Sequence, residues 1–236
     1  VDGVVLSRSG QAFIDLVDID RLEVLRGPQG TLFGRNASAG LVNIVSRGGS
    51  DTFEGEASVD YFSGEEVRVR GSLAGPIANN LTARVTGFYG TFDGNITNVN
   101  EGARNTVNGY ERYGARGILD WDNGSSRLRL IADYFEADDD CCADVTGVTG
   151  GAVRDAELGN HNLVTRTRDR QWSITGSGDF EISDTHTLSV ILGYRNWFNE
   201  EFREGDFLPR ALTTAGQLHD NGVVRTEQIS AEVRIA

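Results

Sequence analysis

The chain has 236 residues, of which 39% are hydrophobic and 24% charged, with 30 glycines and three prolines; this composition excludes a disordered chain. A net charge of −13 excludes a general nucleic-acid binder, which would carry a basic stripe. All 22 basic residues are arginine, so no lysine is available to bind phosphate in a P-loop, form a Schiff base or act as a general base.

The first fifty residues are predicted to be compact and globular. Val4 to Leu6, Leu22 to Leu25 and Leu41 to Val45 look like short buried strands. The glycine-rich stretch from Arg26 to Gly34 turns between the last two. A composition break at Gly48-Gly49-Ser50 divides residues 1–50 from residues 51–236.

From about Glu56 onward the hydrophobic period is two. Val59 and Tyr61 alternate with Ser58 and Asp60. Leu73 follows Val67 and Val69 against Arg68 and Arg70. Leu81, Val85 and Tyr89 oppose Thr82, Arg84 and Thr86. Leu119 and Trp121 oppose Arg116 and Asp120, and Leu128, Leu130 and Tyr134 oppose Arg129 and Asp133. Trp172 to Ile182, Leu188 to Tyr194 and Ile229 to Ile235 repeat the pattern. Eight strands of roughly ten residues result, a length that crosses a bilayer at a tilt. Residues near Gly64, Pro76 to Asn80, Asp122 to Ser126 and Ser183 to His186 make short connections. Asp93 to Gly109, Ala137 to Arg168 and Phe198 to Gly222 make long ones. Beyond the first hairpin, short turns at one end and long loops at the other mark an outer-membrane barrel. With the short turns periplasmic, Tyr61, Tyr89, Tyr113, Tyr134, Trp172 and Tyr194 form an outer aromatic belt, and Trp121 and Phe180 an inner one. No apolar run reaches the roughly 18 residues of a membrane helix, and no signal peptide opens the chain.

Residues 20–47 resemble the plug of TonB-dependent outer-membrane receptors. The matching text is Asp20-Arg21-Leu22-Glu23-Val24-Leu25-Arg26-Gly27-Pro28, Leu32-Phe33-Gly34-Arg35-Asn36 and Gly40-Leu41-Val42-Asn43-Ile44-Val45-Ser46-Arg47. Val1-Asp2-Gly3 resembles an earlier element of the same plug. The resemblance implies a mainly β fold: about eight strands of an implied 22-stranded antiparallel transmembrane barrel, with part of an N-terminal α+β plug. The chain is expected to be a piece of such a receptor, with the TonB box and about fourteen strands outside it. The implied function is TonB-coupled import of a scarce nutrient, with an iron–siderophore complex favoured. The implied partners are the TonB energy-coupling protein, outer-membrane lipid and lipopolysaccharide, and a small-molecule chelate.

By the same resemblance, Glu23, Arg26, Gly27 and Pro28 dock the plug on the barrel, with Arg26 able to grip a wall carboxylate bidentately. Gly34, Asn36, Gly40 and Asn43 belong to the plug motif. Adjacent Cys141 and Cys142 lie in a loop expected outside the cell, where an oxidising medium favours a disulfide. Vicinal pairing, a partner cysteine elsewhere and two thiols beside an acidic metal site all stay open. His161, His186 and His219 are far apart and accompany no hydrolase motif, so no catalytic residue, metal or cofactor is expected. The rival reading is a soluble β-sandwich for binding or adhesion.

Overall fold

The structure, a computed structural model, describes residues 1–8, 11, 18–28, 30, 39–98, 106–140, 158–159, 163–205 and 218–236. Two strands, β1 (Ile19–Arg26) and β2 (Gly40–Ser46), pair as an antiparallel hairpin with Glu23 opposite Asn43 and Arg26 opposite Gly40. Small strands β6 (Ile96–Asn98), β7 (Thr106–Val107) and β10 (Leu158–Gly159) form a separate three-stranded sheet.

The remaining strands make one eight-stranded antiparallel sheet. They are β3 (Glu54–Phe62), β4 (Glu66–Ala78), β5 (Leu81–Phe92), β8 (Tyr110–Asp122), β9 (Ser126–Asp139), β11 (Arg166–Ser183), β12 (His186–Glu204) and β13 (His219–Ile235). They run side by side in chain order, each hydrogen-bonded to the next. Pleating puts alternate side chains on opposite faces. One face carries Leu73, Val85, Leu119, Leu130, Ile174, Leu192 and Val233, all exposed. The other carries buried Arg84, Thr86, Ser173, Thr175 and Arg195. This inverts the pattern of a water-soluble sandwich, and no second sheet covers the apolar face among the described residues. Outward aromatics touch across strands: Trp172 and Tyr194 have ring centroids 5.0 Å apart, and Tyr113 and Tyr134 6.3 Å.

Three expectations are corrected. All the sheet strands but the nine-residue β3 exceed ten residues, and β11, β12 and β13 reach 18, 19 and 17. They grow into the segments expected to be the long loops 137–168 and 198–222. In 137–139 and 166–168, Arg166–Asp138 and Arg168–Asp138 ion pairs replace apolar contacts across strands, while 198–204 mixes Phe198 and Phe202 with charged residues. The loop 93–109 contains β6 and β7. In the N-terminal part, Val4 to Leu6 is not a strand, and Leu22, Val24 and Val42 are exposed rather than buried. A two-stranded ribbon buries a face only against another element, and none covers this one among the described residues.

Candidate functional site

The N-terminal segment and its hairpin sit on the inward face of the sheet through three groups of polar contacts. The first centres on Asp18, just before β1. Its carboxylate, 7% exposed, accepts from Arg84 Nη1 at 3.2 Å and from the Thr86 hydroxyl at 2.5 Å, both on β5. The Arg84 guanidinium is 4% exposed. It also donates to the Gly48 carbonyl at 2.6 Å and pairs with Glu54. Arg47 lies 3.6 Å from Asp18. A cavity of about 220 Å³ opens beside this cluster, lined by Asp18, Arg47, Glu56, Arg70, Ser72 and Thr86 among others.

In the second group, Asp2 accepts from the Ser46 amide and hydroxyl, both at 2.8 Å. Arg116 of β8 donates to Ser46 Oγ at 2.7 Å and to Asp133 of β9 at 2.5 Å. Ser173 of β11 completes the row by donating to Asp133 at 3.0 Å. In the third, the Gly49 amide donates to Asp120 at 2.7 Å, and Arg129 holds Asp120 at 2.6 Å. A Cβ on Gly48 would lie 2.3 Å from Arg129, and one on Gly49 2.2 Å from the Thr82 hydroxyl. Gly49 is therefore held to glycine by the Thr82 Cβ and backbone, whereas a side chain at Gly48 would displace the Arg129–Asp120 pair. A further bond joins Gln228 of β13 to the Val5 carbonyl at 2.7 Å.

Both anchoring acids outside the sheet, Asp2 and Asp18, have left-handed backbone, with φ of 47° and 52°. Aspartate tolerates that region better than most residues because its short side chain bonds locally. Here the Asp18 side chain is turned to the wall, and that of Asp2 to Ser46 of the hairpin, which Arg116 of the wall in turn holds. The charges alternate in sign, so each ion has an opposite neighbour in a site largely shut from water. Such a row holds strongly while dry and loosens when one member is removed or hydrated.

The sequence-predicted residues lie on or beside the hairpin. Glu23 accepts from Arg21 at 2.7 Å and from the Asn43 amide at 2.9 Å. The Arg21 guanidinium first, then Asn43, holds its carboxyl below the usual carboxylate range. Arg26 is exposed at the end of β1, followed by Gly27 with φ of 82° and by exposed Pro28. Gly40 has φ of 151°, and a Cβ there would lie 2.7 Å from the Leu25 carbonyl. Gly34, Asn36, Cys141 and Cys142 lie outside the described residues. Sequence reasoning did not single out Asp2, Asp18, Ser46, Arg84, Thr86, Arg116 or Asp133 as a docking set. The available signal was arginine in mid-strand on the inward face, where a charge needs a partner. Thr86, where an arginine would be expected to be mild from alternation alone, is buried and bonded to Asp18. His186 caps its own turn, its Nδ1 3.0 Å from the Ser183 hydroxyl, and His219 lies against Phe202 with the two rings tilted by 43°. Among the described residues no group of three or more His, Cys, Asp or Glu side chains could hold a metal ion.

Residues 1–41 match the TonB-dependent receptor plug domain. The chain is 36% identical over 208 residues to the pesticin receptor of Yersinia pestis, covering 84% of this chain and 28% of that protein. It is 25% identical over 213 residues to the ferric enterobactin receptor PirA of Pseudomonas aeruginosa, covering 84% and 28%. Among solved structures, the ferric yersiniabactin uptake receptor FyuA of Yersinia pestis superposes with a TM-score of 0.77 at 24% identity, covering 93% of this chain and 33% of that one. The ferripyoverdine receptor of Pseudomonas aeruginosa superposes at 0.72 and 17% identity, covering 99% and 32%. The chain thus spans under a third of the length of these relatives. A plug-domain match seated on the polar face of a sheet whose apolar face points outward has one home in these comparisons: the chain belongs to the TonB-dependent receptors, β-barrel proteins of the Gram-negative outer membrane.

Proposed function

We propose that the receptor containing this chain imports a ferric chelate of the siderophore class across the outer membrane, driven by the TonB energy-coupling protein. The observation that carries the reading is the hairpin latched to the lumenal wall through Asp18–Arg84 and Ser46–Arg116. Import requires a plug that blocks the lumen at rest and can be loosened on demand, and one buried ion pair backed by hydrogen bonds suits both states. The relatives support iron as cargo, since the names of PirA and FyuA specify ferric enterobactin and ferric yersiniabactin. In this reading residues 1–50 are the end of the plug and residues 51–236 the first part of the barrel. Glu23, Arg26, Gly27 and Pro28 add a docking edge. Lipopolysaccharide surrounds the outer belt.

The test is deletion of the full gene, followed by growth and labelled-iron uptake on defined ferric chelates under iron limitation. The expected result is loss of energy-dependent uptake of one chelate. Unimpaired uptake of every chelate, with impaired uptake of a sugar or cobalamin, would overturn the iron reading and leave the receptor class in place.

A further inference from the structure

The apolar face is not evenly bristled. On β11 two successive outward positions, Gly176 and Gly178, have no side chain. In register, Gly176 lies between Leu130 of β9 and Leu192 of β12, and Gly178 between Leu128 and Val190. A strand of bare backbone is therefore flanked on both sides by branched aliphatic side chains. The flanking strands are two strand spacings apart, roughly 9–10 Å. The result is a groove of about 500 Å³ in the outer surface of the wall. Its boundary is almost wholly apolar. Trp121 and Phe180, the periplasmic aromatics, line one end, and Phe180 leans over Gly178, its ring 2.9 Å from where a Cβ would be. Toward the other end the next outward residue of β11 is Ile174, followed by Trp172 of the outer belt.

We propose that this groove holds one acyl chain of an inner-leaflet phospholipid, retained by the receptor rather than exchanged with bulk lipid. Continuity supports the assignment: the groove is part of the face that meets the bilayer, and it shares the inner half of that face with the periplasmic aromatic belt. Shape supports it too. A chain lying over Gly176 meets backbone beneath, Leu130 and Leu192 on two sides and, at its end, the Leu128 and Phe180 side chains that close over Gly178, whereas a chain on an unbroken part of the wall meets protein on one. Within a bilayer no hydrophobic gain separates these positions, because lipid tails are as apolar as leucine. The difference is dispersion contact, small for each atom pair and summed along the chain. Arg129 is the one charged residue at its boundary, and its guanidinium is held by Asp120; the groove's position toward the periplasmic belt selects the phospholipid leaflet over the lipopolysaccharide leaflet.

Gly176 and Gly117 make the test clean. A Cβ at either meets nothing within 4 Å, so both accept a side chain without a clash. Gly117 is also outward, but it is opposite Val85 and Ala132 and outside the groove. The full-length receptor is extracted in mild detergent, and retained lipid is counted by native mass spectrometry, with folding checked by heat-modifiable gel mobility. The expected result is about one phospholipid per folded receptor, lowered about tenfold in Gly176→Leu, the equivalent of losing roughly ten heavy-atom contacts. Gly117→Leu should retain it as the parent does. Equal retention in Gly176→Leu and the parent would overturn the proposal, as would equal loss in both variants or no retained lipid at all. Retention of lipopolysaccharide alone would assign the groove to the wrong leaflet, and a receptor dimer dissociated by Gly176→Leu would assign it to a second copy; either outcome refutes the proposal. If Gly176→Leu fails to fold, Leu192→Ala, which widens the groove without filling it, must still lower retention.

Discussion

Replacing Arg84 tests the latch most directly. Arg84→Met keeps much of the stem's volume and removes the charge from a guanidinium only 4% exposed. Four partners lose a donor, the Ser72 hydroxyl being the most distant at 3.5 Å. Glu54 is half exposed, so water replaces the arginine there at little cost. The Gly48 carbonyl and the Asp18 carboxylate are held against the wall and are less easily re-solvated. Removing one member of a buried ion pair costs about 3–5 kcal/mol. Asp18 keeps the Thr86 hydroxyl and has Arg47 at 3.6 Å, so the lower end, about 3 kcal/mol, is expected. The assay is urea release of the plug in full-length receptor, followed by protease sensitivity of the hairpin and by ion conductance in planar bilayers. With a slope of roughly 1–3 kcal/mol per molar urea, the release midpoint falls by about 1–3 M. Asp18→Asn combined with Arg84→Met should cost less than the two singles added, by at least about 1 kcal/mol. An unchanged midpoint in Arg84→Met, or strict additivity in the double variant, would show that the contact does not hold the plug.

Val85→Arg, on the apolar face and 61% exposed, should destabilise the folded barrel by about 2–4 kcal/mol if the site lies near the bilayer midplane, whereas Ser189→Arg on the inward face should be mild; a folding titration in lipid vesicles compares them. Gly40→Ala forces a side chain into a backbone with φ of 151° and against the Leu25 carbonyl, so the hairpin should loosen by about 1–3 kcal/mol in the urea assay, while Gly27→Ala, with open space around it, should suffer from its φ alone. Glu23 has a lowered folded pKa, so its stabilising contribution is complete above the unfolded carboxylate value and is lost as pH falls through the folded one. Glu23→Gln should therefore loosen the hairpin relative to the parent at pH 6, and the two should converge only once the pH has fallen below the lowered folded value; a difference that persisted in strong acid would refute the charge-based account.

The barrel wall was legible because lipid enforces a rule. Residues such as Leu81, Val85, Leu130 and Val233 must be apolar, and their period of two marks both strand and face. Where that solvent ends, so does the signal. Residues 166–170 read Arg-Thr-Arg-Asp-Arg, with no apolar face, yet they are ladder residues of β11 because their charges find Asp138 and Glu136 on the adjacent strand. The docking set was invisible for a related reason. Asp18 and Asp2 read as turn residues, and only the fold brings Asp18 66 positions along the chain to Arg84. The plug motif was recognisable as text, but motif recognition did not reveal that its flanking Gly48-Gly49 is pressed onto Arg129 and Thr82. Ile118 and Ile131 also break the inward-polar rule: they face each other across β8 and β9, fully buried, a small dry patch in a polar wall.

The unequal strand lengths give the mouth of the receptor a slope. The first hairpin turns at residues 63–65, directly after Tyr61 of the outer belt, while β12 runs ten residues past Tyr194 to Glu204, roughly 33 Å of extended chain at about 3.3 Å per residue. Within the described part of the rim, the wall is thus low at β3 and β4 and climbs toward β12 and β13. A bulky visitor travelling along the cell surface, such as an antibody or a phage fibre, meets a tall rigid parapet on one flank and a nearly level threshold on the other. Among these eight strands the low flank obstructs a large molecule least, and the tall one is a broad β-surface.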